Sequence, residues 1–323
     1  MNSILTFDSY YKSVIWGGTR IAEFKGIPSQ GTDIGESWEL SPMEGHESVV
    51  ADGPLKGRSL SELTALYGRD IMGDRLMKRY GGRFPLLIKF IDSNDDLSVQ
   101  VHPDDALAAE RHNSLGKTEM WYCVAPADGA YLYAGFSQAL TPEEFSRRVA
   151  DNTIVDALCR YNTRRGDVFF LPAGRVHAIG RGNFVLEIQE ASDITYRIYD
   201  YDRRDARGNA RELHVEQSLG AIDFDDHACE APLNIKAEAG HDAELARCDY
   251  FKTDLINVDG SYSIDLAPRD SFTVLTAVAG RMTVTGADGQ TVDLPQGRTV
   301  LVPASLPSLT IEGRGEVVSV FVP

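Results

Sequence analysis

Leu97-Ser98-Val99-Gln100-Val101-His102-Pro103 alternates apolar and polar side chains, so an extended backbone puts Ser98, Gln100 and His102 on one face and Leu97, Val99 and Val101 on the other. Burying an unpaired amide or imidazole costs about 1–3 kcal/mol. Such a face therefore either meets water at a sheet edge or holds something. Two residues further along favour the second reading: Glu119, within Gly116-Lys117-Thr118-Glu119-Met120-Trp121-Tyr122, and His177, after Leu171-Pro172-Ala173-Gly174-Arg175-Val176. Both lie on strand-like stretches beside turns rich in glycine or proline. Neutral imidazoles, a carboxylate and an amide oxygen make a mixed nitrogen and oxygen shell that suits zinc and also fits iron or manganese. Gln100, His102, Glu119 and His177 are the candidate metal ligands. His112, His227 and His241 lack this setting, and His214 stays open.

These residues need strands to bring them together, and the surrounding chain reads as mainly β. Phe84-Pro85-Leu86-Leu87-Ile88-Lys89-Phe90-Ile91 is an apolar strand in which Lys89 is either a snorkelling edge residue or a charge aimed into a pocket. Strands are expected at Met120–Val124 and Ala130–Phe136, in the run Gly166 to Gly174, and at Phe184–Glu190. Residues 4–50 read as short strands with turns, where Glu36 and Glu39 flank Trp38 either at the surface or in a pocket wall. Ser59 or Ser61, with Glu62 in the first turn, opens a helix, and Ile71 to Tyr80 forms a second. Thr141 as cap and Pro142 at the first helical position start another, expected to run to about Arg160. The charged segment 202–214 reads as a surface loop and Asp223 to Ala239 as a connector. Residues 250–323 carry a second set of strands, in which Gly297-Arg298-Thr299-Val300-Leu301-Val302-Pro303-Ala304 echoes Gly166-Asp167-Val168-Phe169-Phe170-Leu171-Pro172-Ala173. No histidine follows the second Pro-Ala turn, so that copy is expected to carry no metal.

At 323 residues the chain can bury a substantial core without disulfides. Its four cysteines, Cys123, Cys159, Cys229 and Cys248, are scattered and are expected to be free thiols in a reducing compartment, with no catalytic role. The N-terminus lacks a basic region followed by an apolar run, and no apolar stretch has membrane-spanning length, which predicts a cytoplasmic protein. A formal charge of −16 argues against non-specific nucleic-acid or anionic-membrane partners. No obligate protein partner is evident, and an anionic substrate must be held by a local basic pocket.

Four ordered stretches together resemble the type I mannose-6-phosphate isomerases in their short bacterial form. They are Ser98-Val99-Gln100-Val101-His102-Pro103-Asp104-Asp105, Gly116 to Tyr122, Pro172-Ala173-Gly174-Arg175-Val176-His177-Ala178, and Ser192-Asp193-Ile194-Thr195-Tyr196-Arg197-Ile198-Tyr199-Asp200-Tyr201-Asp202-Arg203. The resemblance covers most of the chain. It implies cupin-type double-stranded β-helix (jelly roll) barrels, two in tandem, with a few packing helices. A catalytic domain over 1–225, with helical additions at about 55–82 and 141–160, would precede a metal-free barrel over 226–323. One zinc ion would sit on Gln100, His102, Glu119 and His177, although other divalent metals remain possible. The resemblance gives catalytic roles to Arg197, Lys117 and Glu187, and pocket positions to Ser98, Lys89, Arg203 and Glu36. Arg203 stands where longer members carry a phosphate-contacting lysine, so the charge is kept with a different geometry. The implied reaction interconverts mannose 6-phosphate and fructose 6-phosphate through an enediol(ate), leaving Glu187, Lys117 and His102 or a metal-bound water as candidate bases. Two other readings stay open, an iron dioxygenase on the same fold and a non-catalytic sugar-phosphate-binding regulator.

Overall fold

The computed structural model describes residues 1, 3–204 and 208–323. The fold is mainly β and of the cupin type, with sheets that do not close into full barrels. A seven-stranded sheet runs in the order Leu233–Asn234, Asp167–Leu171, Glu119–Cys123, Phe184–Glu190, Leu86–Asp92, Ile34–Leu40 and Tyr10–Gly18. Across from it lies a five-stranded sheet ordered Tyr196–Tyr199, Val99–Val101, His177–Ile179, Tyr131–Phe136 and Leu158–Asn162. Trp121, Val185 and Ile91 of the first sheet pack with Leu132, Ala134 and Ile179 of the second in one buried cluster, which joins the two layers.

The two central strands of the seven-stranded sheet are buried on both faces. Leu86, Ile88 and Phe90, with Leu186 and Ile188, enter the largest core, while Leu87, Lys89, Glu187 and Gln189 point the other way into a cavity. Period-2 alternation thus gives the same strands a structural face and a chemical one. The largest core also takes in Val274, Leu301, Val318 and Val320 from a third sheet of eight strands. That sheet is dominated by Lys252–Asp265, Thr273–Gly286 and Ser308–Phe321, each 14 residues long. Its own fold-over encloses a separate core around Ile256, Leu275, Val284 and Val300.

Strand pairing links the two ends of the chain. Leu5–Asp8 pairs with Thr299–Val302 in the eight-stranded sheet, Leu5 opposite Leu301, and Val49–Val50 adds beyond it. In the other direction, Leu233–Asn234 pairs with Asp167–Leu171. The two echoing segments each follow a glycine with positive φ, Gly166 at 87° and Gly297 at 78°, and each becomes a strand, one per sheet.

The helix opened by Ser59 is Leu60–Met72, with Ser59 and Glu62 forming a reciprocal capping box. Gly73, at φ 84°, separates it from Asp74–Tyr80. The helix capped by Thr141 is shorter than expected. Pro142–Ala150 ends because Asn152 takes a left-handed φ of 57°, and the chain passes through one 3-10 turn, Ile154–Ala157, into the strand Leu158–Asn162. Arg160 therefore lies on a strand. Three helices were not expected from the sequence: Arg20–Lys25, Asp105–His112 and Val215–Leu219.

The cysteines also differ from expectation. Cys159 and Cys229 form a disulfide with Cα atoms 5.4 Å apart, and only Cys123 and Cys248 are free thiols. The fold returns the connector after Asp223 to the strand Leu158–Asn162, closing a sequence separation of 70. Among the described residues, no helix is long and apolar enough to cross a membrane.

Candidate active site

Strand register assembles the site in two facing rows. In the five-stranded sheet, Arg197 lies opposite Gln100, and Gln100 opposite His177. His102 follows at the end of the same strand as Gln100. In the seven-stranded sheet one row reads Trp38, Lys89, Glu187 and Trp121, and the neighbouring row Leu87, Gln189 and Glu119. The polar face anticipated at Ser98, Gln100 and His102 thus looks across at charged residues on central strands. Between the rows is a cavity of about 390 Å³, within the size range of small-molecule sites.

His102, Glu119 and His177 are fully buried, and a ligand atom from each lies within 4.8 Å of the others. His102 Nδ1 is 2.8 Å from the carbonyl oxygen of Ile194, and His177 Nδ1 is 2.8 Å from that of Arg175. A carbonyl can only accept, so each Nδ1 carries the proton and each Nε2 offers a lone pair to the cluster. Burial keeps both rings neutral: it holds His102 well below the usual histidine range, with the Lys117 charge adding to the effect, and brings His177 down to about 3. Glu119 Oε1 is 3.3 Å from His177 Nε2, and Oε2 is 3.5 Å from His102 Nε2. Burial, followed by the Glu187 charge, raises the Glu119 carboxyl to about 7.

Lys117 covers one side of the cluster, its ammonium 2.9 Å from Glu119 Oε2 and 3.1 Å from His102 Nε2. The other side has no such partner: buried Glu119 Oε1 has no hydrogen-bond donor among the described residues. His177 Nε2 against this oxygen and His102 Nε2 against the other give a buried set of two nitrogens and a carboxylate that fits a divalent cation. Gln100 adjoins the cluster with its amide nitrogen 3.3 Å from His177 Nε2. Turning the amide about its last bond would present the oxygen instead.

Lys89 organises the cavity wall. Its ammonium is 2.6 Å from Glu187 and 3.5 Å from Glu36. Each carboxylate also accepts an indole N–H at 2.7 Å, Glu187 from Trp121 and Glu36 from Trp38, and Lys12 approaches Glu36 from the rim at 3.5 Å. Burial opposes charge on Glu36, but Lys89 and Lys12 outweigh it and bring the carboxyl down to about 2. Burial is likewise outweighed at Glu187 by Lys89 and then Lys117, which lower its pKa, and at Lys89 by Glu187 and Glu36, which raise it. The two sequence readings of Lys89 and Glu36 thus resolve to a buried network facing the cavity.

Ser98, Lys117, Arg197 and Glu187 line the same cavity as Lys89 and Glu36. Arg203 does not. It is folded back onto Asp200 at 2.6 Å and onto the carbonyl oxygen of Asp96. Arg211, in the segment read as a surface loop, lines the cavity instead, as do Lys12 and Gln189. None of these three carries a local motif. Lys12 and Arg211 are brought in by pairing across the sheet and by the return of a loop, and period-2 spacing from Glu187 is the one signal that marks Gln189.

Comparisons with known proteins agree over the whole length. The model for the phosphomannose isomerase type I catalytic domain matches residues 4–122, and that for the mannose-6-phosphate isomerase cupin domain matches residues 242–322. Mannose-6-phosphate isomerase ManA of Bacillus subtilis (strain 168) is 37% identical over 97% of this chain and 96% of its own. The mannose-6-phosphate isomerase of Streptococcus mutans is 35% identical over 98% and 97%. A crystal structure of the mannose 6-phosphate isomerase from Bacillus subtilis superposes with a TM-score of 0.87 at 30% identity, covering 98% of this chain and 99% of that one. With similarity running from one end to the other in both sequence and fold, this chain belongs to the type I phosphomannose isomerase family.

Proposed function

We propose that the enzyme interconverts D-mannose 6-phosphate and D-fructose 6-phosphate, moving a proton between C2 and C1 through an enediol(ate), with zinc as its metal. The observation that carries this reading is the meeting of His102, Glu119 and His177 directly behind Gln100 and Lys117, which line a cavity that also presents Arg197. Neutral imidazole nitrogens with one carboxylate are a common zinc donor set. Bound there, a divalent cation would polarise the sugar carbonyl and stabilise negative charge on adjacent oxygens.

The protein's own groups have separable tasks. Arg197 places fixed positive charge on the five-stranded side of the cavity, where it attracts an anionic substrate. Lys117, beside Glu119 and His102, is the group best placed to exchange a proton with the sugar near the metal ligands. Glu187 is tied by Lys89 on one oxygen and by Trp121 on the other and is held in its charged form, so it anchors the wall and orients Lys89. Ser98 is a small hydroxyl in the lining and supplies a hydrogen bond to the sugar. The phosphorylated substrate is our reason for placing the enzyme in the cytoplasm.

A coupled assay with mannose 6-phosphate, before and after chelation and with zinc restored, tests the reading. Turnover that disappears with chelator and returns with zinc is expected. Absence of turnover from a zinc-loaded sample that binds the phosphosugar tightly would favour a binding protein instead. The dioxygenase alternative is not favoured, because the full-length relatives are isomerases.

A further inference from the structure

Three arginines, Arg197, Arg203 and Arg211, gather near Asp200 at one side of the cavity. Asp200 accepts from Arg211 Nε at 2.8 Å on Oδ2, and on Oδ1 from Arg211 Nη2 and, at 2.6 Å, from Arg203 Nη2. Arg203 is satisfied elsewhere as well, by the carbonyl oxygens of Asp200 and Asp96 and by the Asp95 carboxylate 3.6 Å away, and it faces away from the cavity. Arg197 and Arg211 do line the cavity. Arg197 gives one N–H to the carbonyl oxygen of Glu212 at 2.9 Å, and its buried Nε has no acceptor among the described residues. Burial and the like charge of Arg211 both weigh against the Arg197 cation. Among the described residues Asp200 is the one carboxylate paired with Arg211, Asp200 and Asp95 both serve Arg203, and no carboxylate pairs with Arg197. Two arginines thus line one cavity in a chain whose net charge is −16.

We propose that Arg211, together with Arg197, forms the subsite for the phosphate dianion of the substrate, and that Arg203 is a positioning residue that acts through Asp200. The proposal rests on the isomerase reading for the identity of the substrate, but the anion site itself does not. Planar guanidinium groups match phosphate oxygens bidentately, and Asp200 pins Arg211 by two parallel bonds so that its remaining N–H groups are preoriented. A sugar phosphate held by Arg197 and Arg211 would have its open-chain end directed towards His177 along the row Arg197, Gln100, His177.

Two measurements on the zinc-loaded protein test this: calorimetric binding of inorganic phosphate, and KM and kcat for mannose 6-phosphate. Losing one charge-assisted pair should weaken phosphate binding and raise KM by about 10- to 100-fold in Arg211→Gln, with kcat within about threefold and metal content unchanged. Arg211→Lys keeps a point charge without the fork and should fall between Arg211→Gln and the parent. Arg203→Gln should shift both constants less than Arg211→Gln. Wild-type phosphate affinity and KM in Arg211→Gln, or a larger loss in Arg203→Gln, would overturn the proposal. Should Arg211→Gln lose its zinc or its fold, Arg211→Lys decides: unchanged phosphate affinity and KM there overturn it, and a rise in both supports it. A parent protein that binds phosphate through Arg211 but does not turn over mannose 6-phosphate would refute the isomerase reading and leave the subsite standing.

Discussion

At the residue scale, the site is governed by what happens to charge when water is removed. Lys89 is the shared counter-ion of two buried carboxylates, so Lys89→Met should do more harm than the loss of one lysine suggests. It leaves Glu187 without its nearest cation and Glu36 with Lys12 in place of two lysines, at a cost of about 3–5 kcal/mol. Urea unfolding of the variant reads this directly, and a midpoint unchanged from the parent would contradict the network. Glu36 makes a separate prediction with pH. Its carboxyl lies at about 2 in the folded protein against an ordinary 4.5, so its stabilisation is complete above about 4.5 and is lost as pH falls through about 2. Glu36→Gln should flatten the pH dependence of the urea midpoint in that window, and parallel curves would show that the pairing is not made. The polar face along Ser98 to His102 was legible in the sequence because alternation is a local property. Arg211 was not, because no periodicity in the charged segment 202–214 marks its pairing with Asp200, 11 residues back. The Cys159–Cys229 bond was hidden by a separation of 70 residues.

At the element scale, the clearest signals were caps. Thr141 with Pro142 marked the start of a helix to the residue, and of the two caps open at the other start, Ser59 and Ser61, Ser59 is the one used. Helix ends were less legible: Asn152 stops one at Ala150, though the charged sequence beyond it is compatible with further turns. Asp104, which caps Asp105–His112 by accepting from Leu107 N–H at 2.8 Å, was readable but lay inside a motif that drew attention to its chemistry. That helix matters for Lys117. Gly116 N–H donates to Asp105 at 2.8 Å, and a Cβ at Gly116 would lie 2.5 Å from the Asp105 backbone nitrogen. Gly116→Ala must therefore displace either the helix start or the loop that carries Lys117. A stability loss of about 1–3 kcal/mol is expected, accompanied by a fall in kcat that KM does not share. Wild-type kcat in this variant would show that the close approach does not position the lysine.

At the scale of the whole molecule, both ends of the chain build one core. Leu5 pairs with Leu301, and the largest apolar cluster joins Ile88 and Leu186 to Phe272 and Val318. A fragment ending at residue 225 would expose that face of the seven-stranded sheet and leave Leu5–Asp8 without its partner strand. It should be insoluble or bind hydrophobic dye, whereas a soluble fragment with parental metal affinity would show that the C-terminal sheet is dispensable. A mainly β chain with a repeated unit was legible from strand patterning and from the echo of Gly166–Ala173 in Gly297–Ala304, and its cupin type from the family resemblance. The exchange of strands between sheets was not, because pairing over such distances leaves no mark on either strand. The account as a whole depends on one cluster, and a single pair of measurements tests it: zinc content and mannose 6-phosphate turnover on the same preparation of His102→Ala. Loss of the metal together with turnover is the predicted result, while a variant that keeps its zinc and its parental rate would contradict the account.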